Sequence, residues 1–255
     1  MTVPLLEIVE LVTAGVGAGF LAGLLGIGGG TLLVPTLIAL GFGPVVAIAT
    51  SNWAILLTSV AGTIQNRRLG FFNRQQILAL GIPALITTPL GSRLTMLLPQ
   101  TWLLVGLTAL YLSNIGLVEL RRGLDGQTET QASHRGGAWI TGGLGGLLAG
   151  LFGIGGGAVM VPLQVLLLGT DIKTAVRNSL GVIILTAIAA TLTQALQHNV
   201  EWIPGLLLGL GGLIGTQAST RLLPKLPDLQ VRRLFQLLMV LLGGWFLWKS
   251  LNPAG

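Results

Sequence analysis

Residues 21–35 read LAGLLGIGGGTLLVP, and residues 148–162 read LAGLFGIGGGAVMVP. Leu148 stands 127 positions after Leu21, so one glycine-rich phrase occurs twice within one chain. Each copy interrupts apolar sequence with the run GIGGG, at 26–30 and at 153–157. Each glycine destabilises a helix by about 1 kcal/mol relative to alanine. Inside hydrocarbon the backbone groups freed by such a break need partners, so non-helical backbone is confined to a protected interior or a cavity. Two equivalent breaks predict an internally duplicated membrane protein of the kind that builds its site from discontinuous helices.

The composition agrees with a bilayer as solvent. Of 255 residues, 52% are hydrophobic and only 9% charged, where soluble domains carry roughly 25% charged residues. The mean hydropathy is +0.83. Many stretches approach the roughly 20 apolar residues needed to cross about 30 Å of hydrocarbon. Glu7 and Glu10, rather than a basic segment, precede the first apolar run and no small-residue cleavage site follows, so no signal peptide is expected. The lack of cysteine excludes disulfides, iron–sulfur clusters and thiol chemistry and leaves the compartment undecided. The net charge of +6 reads as juxtamembrane Lys and Arg following the positive-inside bias rather than as a nucleic-acid surface. Trp53, Trp102, Trp139, Trp202, Trp245 and Trp248 include candidate interfacial anchors.

Working outward from the breaks, each copy reads as five helical segments. They are 6–25, 31–40, 45–65, 76–97 and 102–120, then 139–152, 158–168, 174–197, 203–222 and 231–251. The polar stretch 121–135 (RRGLDGQTETQASHR) joins the copies, giving a first membrane repeat over 1–120, a linker over 121–136 and a second repeat over 137–255. The second segment of each copy is short: about ten residues at about 1.5 Å each reach about 15 Å, half the hydrocarbon thickness. The first two segments therefore form a hairpin folded at GIGGG. Basic residues concentrate in alternate connections: Arg67, Arg68 and Arg74; Arg121, Arg122 and Arg135; Lys173 and Arg177; and Arg221, Lys225, Arg232 and Arg233. If each hairpin returns to its own side, or if both arms cross, all these loops share one face. A single continuous crossing would split them. The bias favours an N-terminus outside and a cytoplasmic linker, and an odd number of crossings per copy makes the repeats inverted in topology.

Several motifs carry rival readings. Gly15, Gly19 and Gly23, and their mates Gly142, Gly146 and Gly150, recur every four residues and read as stripes for close helix packing. The breaks differ, because each opens a short helix whose first N–H groups and positive dipole end would point into the protein interior. That is an anion site without a buried cation. It points to Gly28, Gly29, Gly30 and Thr31 in one copy and to Gly155, Gly156, Gly157 and Ala158 in the other. Pro35 and Pro162 lie too deep for first-turn prolines and would bend the short helices or free a carbonyl. The third segments carry Ser51 and Asn52 after Thr50, and Asn178 and Ser179 after Arg177. Hydroxyls and amides can donate to an oxyanion without fixed charge; the competing reading is interhelical bonding. Arg177 is a candidate attractor, whereas Arg93 and Arg221 read as snorkelling cations. Gln65, Gln194 and Gln164 are weaker candidates.

Neither copy carries Asp or Glu deep in a helix, so a carboxylate relay for proton coupling is missing. No metal-ligand cluster and no nucleophile–base pair appears, and GIGGG lacks the GK[ST] of a nucleotide-binding loop. No enzyme activity, metal or cofactor is expected.

The duplicated GLLGIGGGTLLVP and GLFGIGGGAVMVP, with Thr50-Ser51-Asn52 after the first, resemble the TauE/SafE family of membrane proteins, named for export of sulfite and related organosulfur anions. The resemblance spans essentially the whole chain in two halves. Departures are Arg177-Asn178-Ser179 in place of a second TSN run, and Ser219 where Gly91 stands. They make the two half-sites unequal. The resemblance implies transport of a small anion across the cytoplasmic membrane, commonly outward. The expectation is thus an all-α polytopic membrane protein of two inverted repeats. It would export sulfite or a small organosulfonate, with the bilayer and the anion as its partners and homo-oligomerisation left open. The alternatives are an anion channel and a non-transporting assembly component.

Overall fold

The computed structural model describes residues 5–120 and 134–251. Side chains are described over 7–113 and 136–249. Ten α-helices and one short 3₁₀ turn make up the described residues: α1 (Leu5–Leu25), α2 (Gly30–Ala39), α3 (Pro44–Arg68), α4 (Arg74–Leu97), α5 (Gln100–Leu120), α6 (His134–Phe152), α7 (Gly157–Leu167), α8 (Ile172–Ala195), α9 (Trp202–Leu222), the 3₁₀ turn Leu223–Lys225, and α10 (Asp228–Leu251). α1, α3, α4, α8 and α10 are long and apolar enough to cross a membrane on composition alone. α2, α7 and the Gly136–Phe152 part of α6 are shorter apolar helices. Most of the joining segment lies outside the described residues. Its end does not: His134 opens α6, five residues before the expected start at Trp139, because the glycine pair and polar flank of this first turn carry no apolar period.

Glycine stripes set the helix pairing. A Cβ on Gly15 or Gly19 would run into the backbone of Leu208 or Gly212, and one on Gly23 would meet Ser219 and Thr216. α1 therefore lies parallel to α9 at backbone-to-backbone distance, as small-residue interfaces allow. α6 lies on α4 in the same sense, with Gly142 on Leu80, Gly146 on Ala84, and Gly150 on Thr88 and Ser92. α3 also runs parallel to α9, with Gly205 against Trp53 and Gly62 against Thr216. α8 runs parallel to α4, with Gly181 against Ile77 and Gly81 against Leu185.

These pairings fix where the chain ends up. α1 and α3 start at the Glu201 end, so the α1–α2 hairpin enters and leaves there. α6 and α8 start at the opposite end, so the α6–α7 hairpin enters and leaves there. That second end gathers the C-termini of α3 and α9 and the N-termini of α4, α8 and α10, and Lys173 Nζ binds Asp228 Oδ1 at 3.0 Å across it. It carries Arg67, Arg68, Arg74, Lys173, Arg177, Arg221, Lys225, Arg232 and Arg233. α5 and α10 pack alongside, with Tyr111 stacked on Phe246 at 5.5 Å between ring centroids.

Candidate functional site

The two breaks touch each other. A Cβ on Gly30 would strike the carbonyl of Gly153 and lie 2.8 Å from Ile154 Cα. Reciprocally, one on Gly157 would strike the carbonyl of Gly26 and lie 2.8 Å from Ile27 Cα. The turns into the short helices are made by Gly29 (φ 85°) and Gly156 (φ 80°), both left-handed, a region that costs other residues about 1–2 kcal/mol. The N–H groups of Leu32 and Leu33 both bond Gly29 O, and those of Val159 and Met160 both bond Gly156 O. The first-turn N–H groups of Gly30 and Thr31, and of Gly157 and Ala158, have no intrahelical acceptor.

The break carbonyls are taken up by hydroxyls. Ser51 Oγ lies 2.8 Å from both Gly153 O and Ile48 O, so the serine of one half shares its proton between its own helix and the break of the other. Thr58 Oγ1 is likewise 2.8 Å from Ile55 O and 3.2 Å from Gly28 O, and Thr186 Oγ1 is 3.1 Å from Ile183 O and 3.2 Å from Gly155 O. Pro35 has no N–H to bond Thr31 O, and Tyr111, the only tyrosine in the sequence, donates its hydroxyl to that freed carbonyl at 3.3 Å. The Thr31 hydroxyl and the Asn52 carboxamide oxygen are buried with no partner among the described residues, while Asn52 Nδ2 donates to Ile48 O at 3.0 Å.

Arg177, Asn178 and Ser179 follow Val176, whose Cα lies 2.6 Å from the Cβ position on Gly26 of the first break, and their side chains find other partners. Asn178 Nδ2 donates to Gln76 Oε1 at 2.8 Å on α4, and Ser179 Oγ accepts from Gln164 Nε2 at 2.9 Å on α7. Arg177 lies over the Phe71 ring, 3.6 Å from its centroid, a cation–π contact at the basic end. Gly28–Thr31, Gly155–Ala158 and Ser51 thus meet at the centre, with Asn52 beside Ser51 on α3. Asn178 and Ser179 join an amide cluster on the stretch of α8 between Val176 and Ile183, both of which meet the breaks.

Ile55 and Ile183 were not marked by the sequence. The Cβ position on Gly28 lies 3.1 Å from Ile183 Cδ1 and 3.2 Å from Ile55 Cγ2. On Gly155 it lies 3.0 Å from Ile183 Cγ2 and 3.3 Å from Ile55 Cγ2. Both isoleucines are fully buried, and together they fill the space between the breaks. An isoleucine in an apolar helix carries no distinguishing signal. Gln164 did carry one, as an amide inside a short apolar helix, and it is the hub of the polar cluster.

The family description "Sulfite exporter TauE/SafE" matches residues 11–246. The chain belongs to the TauE/SafE family. It is a multi-pass membrane protein of a family of transporters, not enzymes. Two relatives match over nearly their whole length and a third over about three quarters. "Probable membrane transporter protein YunE" of Bacillus subtilis is 24% identical over 271 residues, covering 96% of this chain and 99% of that protein. A "Probable membrane transporter protein" of Xylella fastidiosa is 28% identical over 253 residues, covering 94% and 95%. One from Methanocaldococcus jannaschii is 26% identical over 197 residues, covering 75% and 73%. No solved structure gives a significant match.

Proposed function

We propose that this TauE/SafE protein carries a small oxyanion of the sulfite or organosulfonate class outward across the cytoplasmic membrane, through two half-sites of inverted topology. The observation that carries the reading is the reciprocal meeting of the breaks, Gly30 on Gly153 and Gly157 on Gly26, at the N-termini of α2 and α7. Those termini bring free N–H groups and positive dipole ends together at one place. The hairpins entering from opposite ends, and the exchange by which α1 pairs with α9 and α6 with α4, support repeats over 1–120 and 137–255. The concentration of cations at the far end of α3 supports a cytoplasmic placement of that end and of the linker, with the N-terminus outside.

Gly28–Thr31, Gly155–Ala158 and Ser51 are the inner site of this reading. Thr31 and Asn52 add polar atoms still in need of partners, and Arg177, Asn178 and Ser179 lie on the approach. The Ile55–Ile183 pair fills the space through which an open pore would have to run, so a transporter that alternates access is favoured over a channel. A potential negative inside drives an anion outward with about 2.3 kcal/mol per charge per 100 mV, and the helices offer no carboxylate relay for proton coupling. Flux of sulfite, sulfate and a small sulfonate into proteoliposomes at imposed potentials tests the reading. Saturable, voltage-accelerated movement of sulfite or the sulfonate is expected. No flux of any of them at any potential or pH gradient would refute it.

A further inference from the structure

We propose that the cavity between α4, α6 and α7 is a loading site for a small sulfonate-type oxyanion, occupied before the glycine breaks and lying at the basic end; this rests on the anion-transport reading above. The cavity holds about 400 Å³, and Asn73, Gln75, Gln76 and Gln164 give it its polar lining, with Ala79 among the wall residues. Asn73 and Gln75 are exposed at its mouth. Gln164, fully buried, is its innermost polar group.

Its amides are organised rather than incidental. Gln164 Nε2 donates to Ser179 Oγ at 2.9 Å and to Ala175 O at 3.3 Å. Asn178 Nδ2 donates to Gln76 Oε1 at 2.8 Å. One network therefore links α4, α7 and α8 from the mouth to Ser179. None of the lining residues is charged; at the same basic end Arg74 lines a separate cavity with Arg67, and Arg177 lies over the Phe71 ring. The Arg177 Nε is buried with no partner among the described residues. The basic end as a whole raises the local concentration of an anion, and the side-chain N–H groups of Asn73, Gln75 and Gln76 are the neutral donors left to hold it without trapping it. From Gln164 to the start of α7 at Gly157 is about 10 Å along the helix at about 1.5 Å per residue, so the inner wall of the cavity belongs to the short helix that opens at the second break.

The innermost amide has no mate at the matching position of the other half. Gln164 stands two residues after Pro162, and the residue two after Pro35 is Leu37, fully buried. The loading site is built around an amide that only one half carries at this position.

The natural chain has no cysteine, so a single Gln75→Cys at the mouth is a clean reporter in the full-length purified protein. It is labelled with a sulfonate-bearing thiol reagent and with its trimethylammonium counterpart, with and without methanesulfonate. Methanesulfonate flux is measured on reconstituted samples. The anionic reagent is expected to react faster than the cationic one, and methanesulfonate to slow it saturably. Gln76→Leu in this background should raise the protecting concentration by about tenfold or more, the effect of losing one hydrogen bond to a charged group. Ala79→Phe, which fills the cavity and removes no amide, should do the same. Flux without protection overturns the loading site and leaves the transport reading intact. Protection that both variants leave unchanged also overturns it. Protection without flux supports the cavity and counts against the transport reading for this anion, and neither protection nor flux overturns both.

Discussion

Alanine placed at Gly29 and at Gly156 should have unequal effects, although the two positions are equivalent in sequence. Both adopt left-handed backbone, φ 85° and 80°, so each substitution carries about 1–2 kcal/mol of conformational strain. Their surroundings differ. A Cβ at Gly29 meets Ala22 Cβ at 3.4 Å and Ala18 O at 3.5 Å, ordinary contact. A Cβ at Gly156 lies 2.5 Å from Gly145 O, 3.1 Å from Gly145 C and 3.2 Å from Ala149 Cβ. Two of those three atoms are backbone of α6 and cannot rotate away, so Gly156→Ala adds an overpacking cost of about 1–3 kcal/mol. At about 2–4 °C per kcal/mol for a chain near this size, Gly156→Ala should melt roughly 2–12 °C below Gly29→Ala. Thermal unfolding of both variants in the same detergent, followed by monodisperse fraction against temperature, reads the difference. Equal melting, or Gly29→Ala melting lower, would refute the packing argument. Flux by Gly29→Ala carries separate information. A fall in flux from a protein that still folds supports a functional break, and unchanged flux makes the break structural.

The Ile55→Ala/Ile183→Ala double variant should pass anions without saturation, because both side chains that fill the space between Gly28 and Gly155 are gone. Each truncation should also destabilise by about 2–5 kcal/mol, so the conservative Ile55→Val/Ile183→Val pair is the folded control, and saturable flux from the alanine pair would sink the plug. Tyr111→Phe should cost about 1 kcal/mol, by leaving Thr31 O without its hydroxyl donor, whereas Tyr111→Ala should cost about 3–5 kcal/mol through the cavity left against Phe246. Equal melting of the two tyrosine variants would show that the hydroxyl, not the ring, carries that site.

Most helix positions were legible because each rests on local energetics. Apolar runs of membrane length, polar turns and helix-breaking glycines placed the ten segments. α2 and α7 opened one residue before their expected starts, at Gly30 and Gly157. The errors fell where local signal fades. α3 continues past Gln65 to Arg68, since exposed arginines at a helix end are compatible with helix or loop. α6 begins within what read as a linker. At the site, the breaks themselves announced their positions through the cost of consecutive glycines in an apolar helix. The partner of Ser51 did not, because Gly153 lies 102 residues away.

By itself the sequence determined that this is a helical membrane protein broken twice at matching glycines, since hydropathy, glycine cost and loop charge are properties of short stretches. Only the tertiary structure decided that the breaks lie against each other and that Ile55 and Ile183 close the space between them. It also bound Asn178 and Ser179, which follow the break contact at Val176 on α8, to Gln76 and Gln164 beside an amide-lined cavity. Those outcomes depend on which helix faces which, and that is settled by the summed close packing of α1 on α9 and of α6 on α4, not by the preference of any one segment.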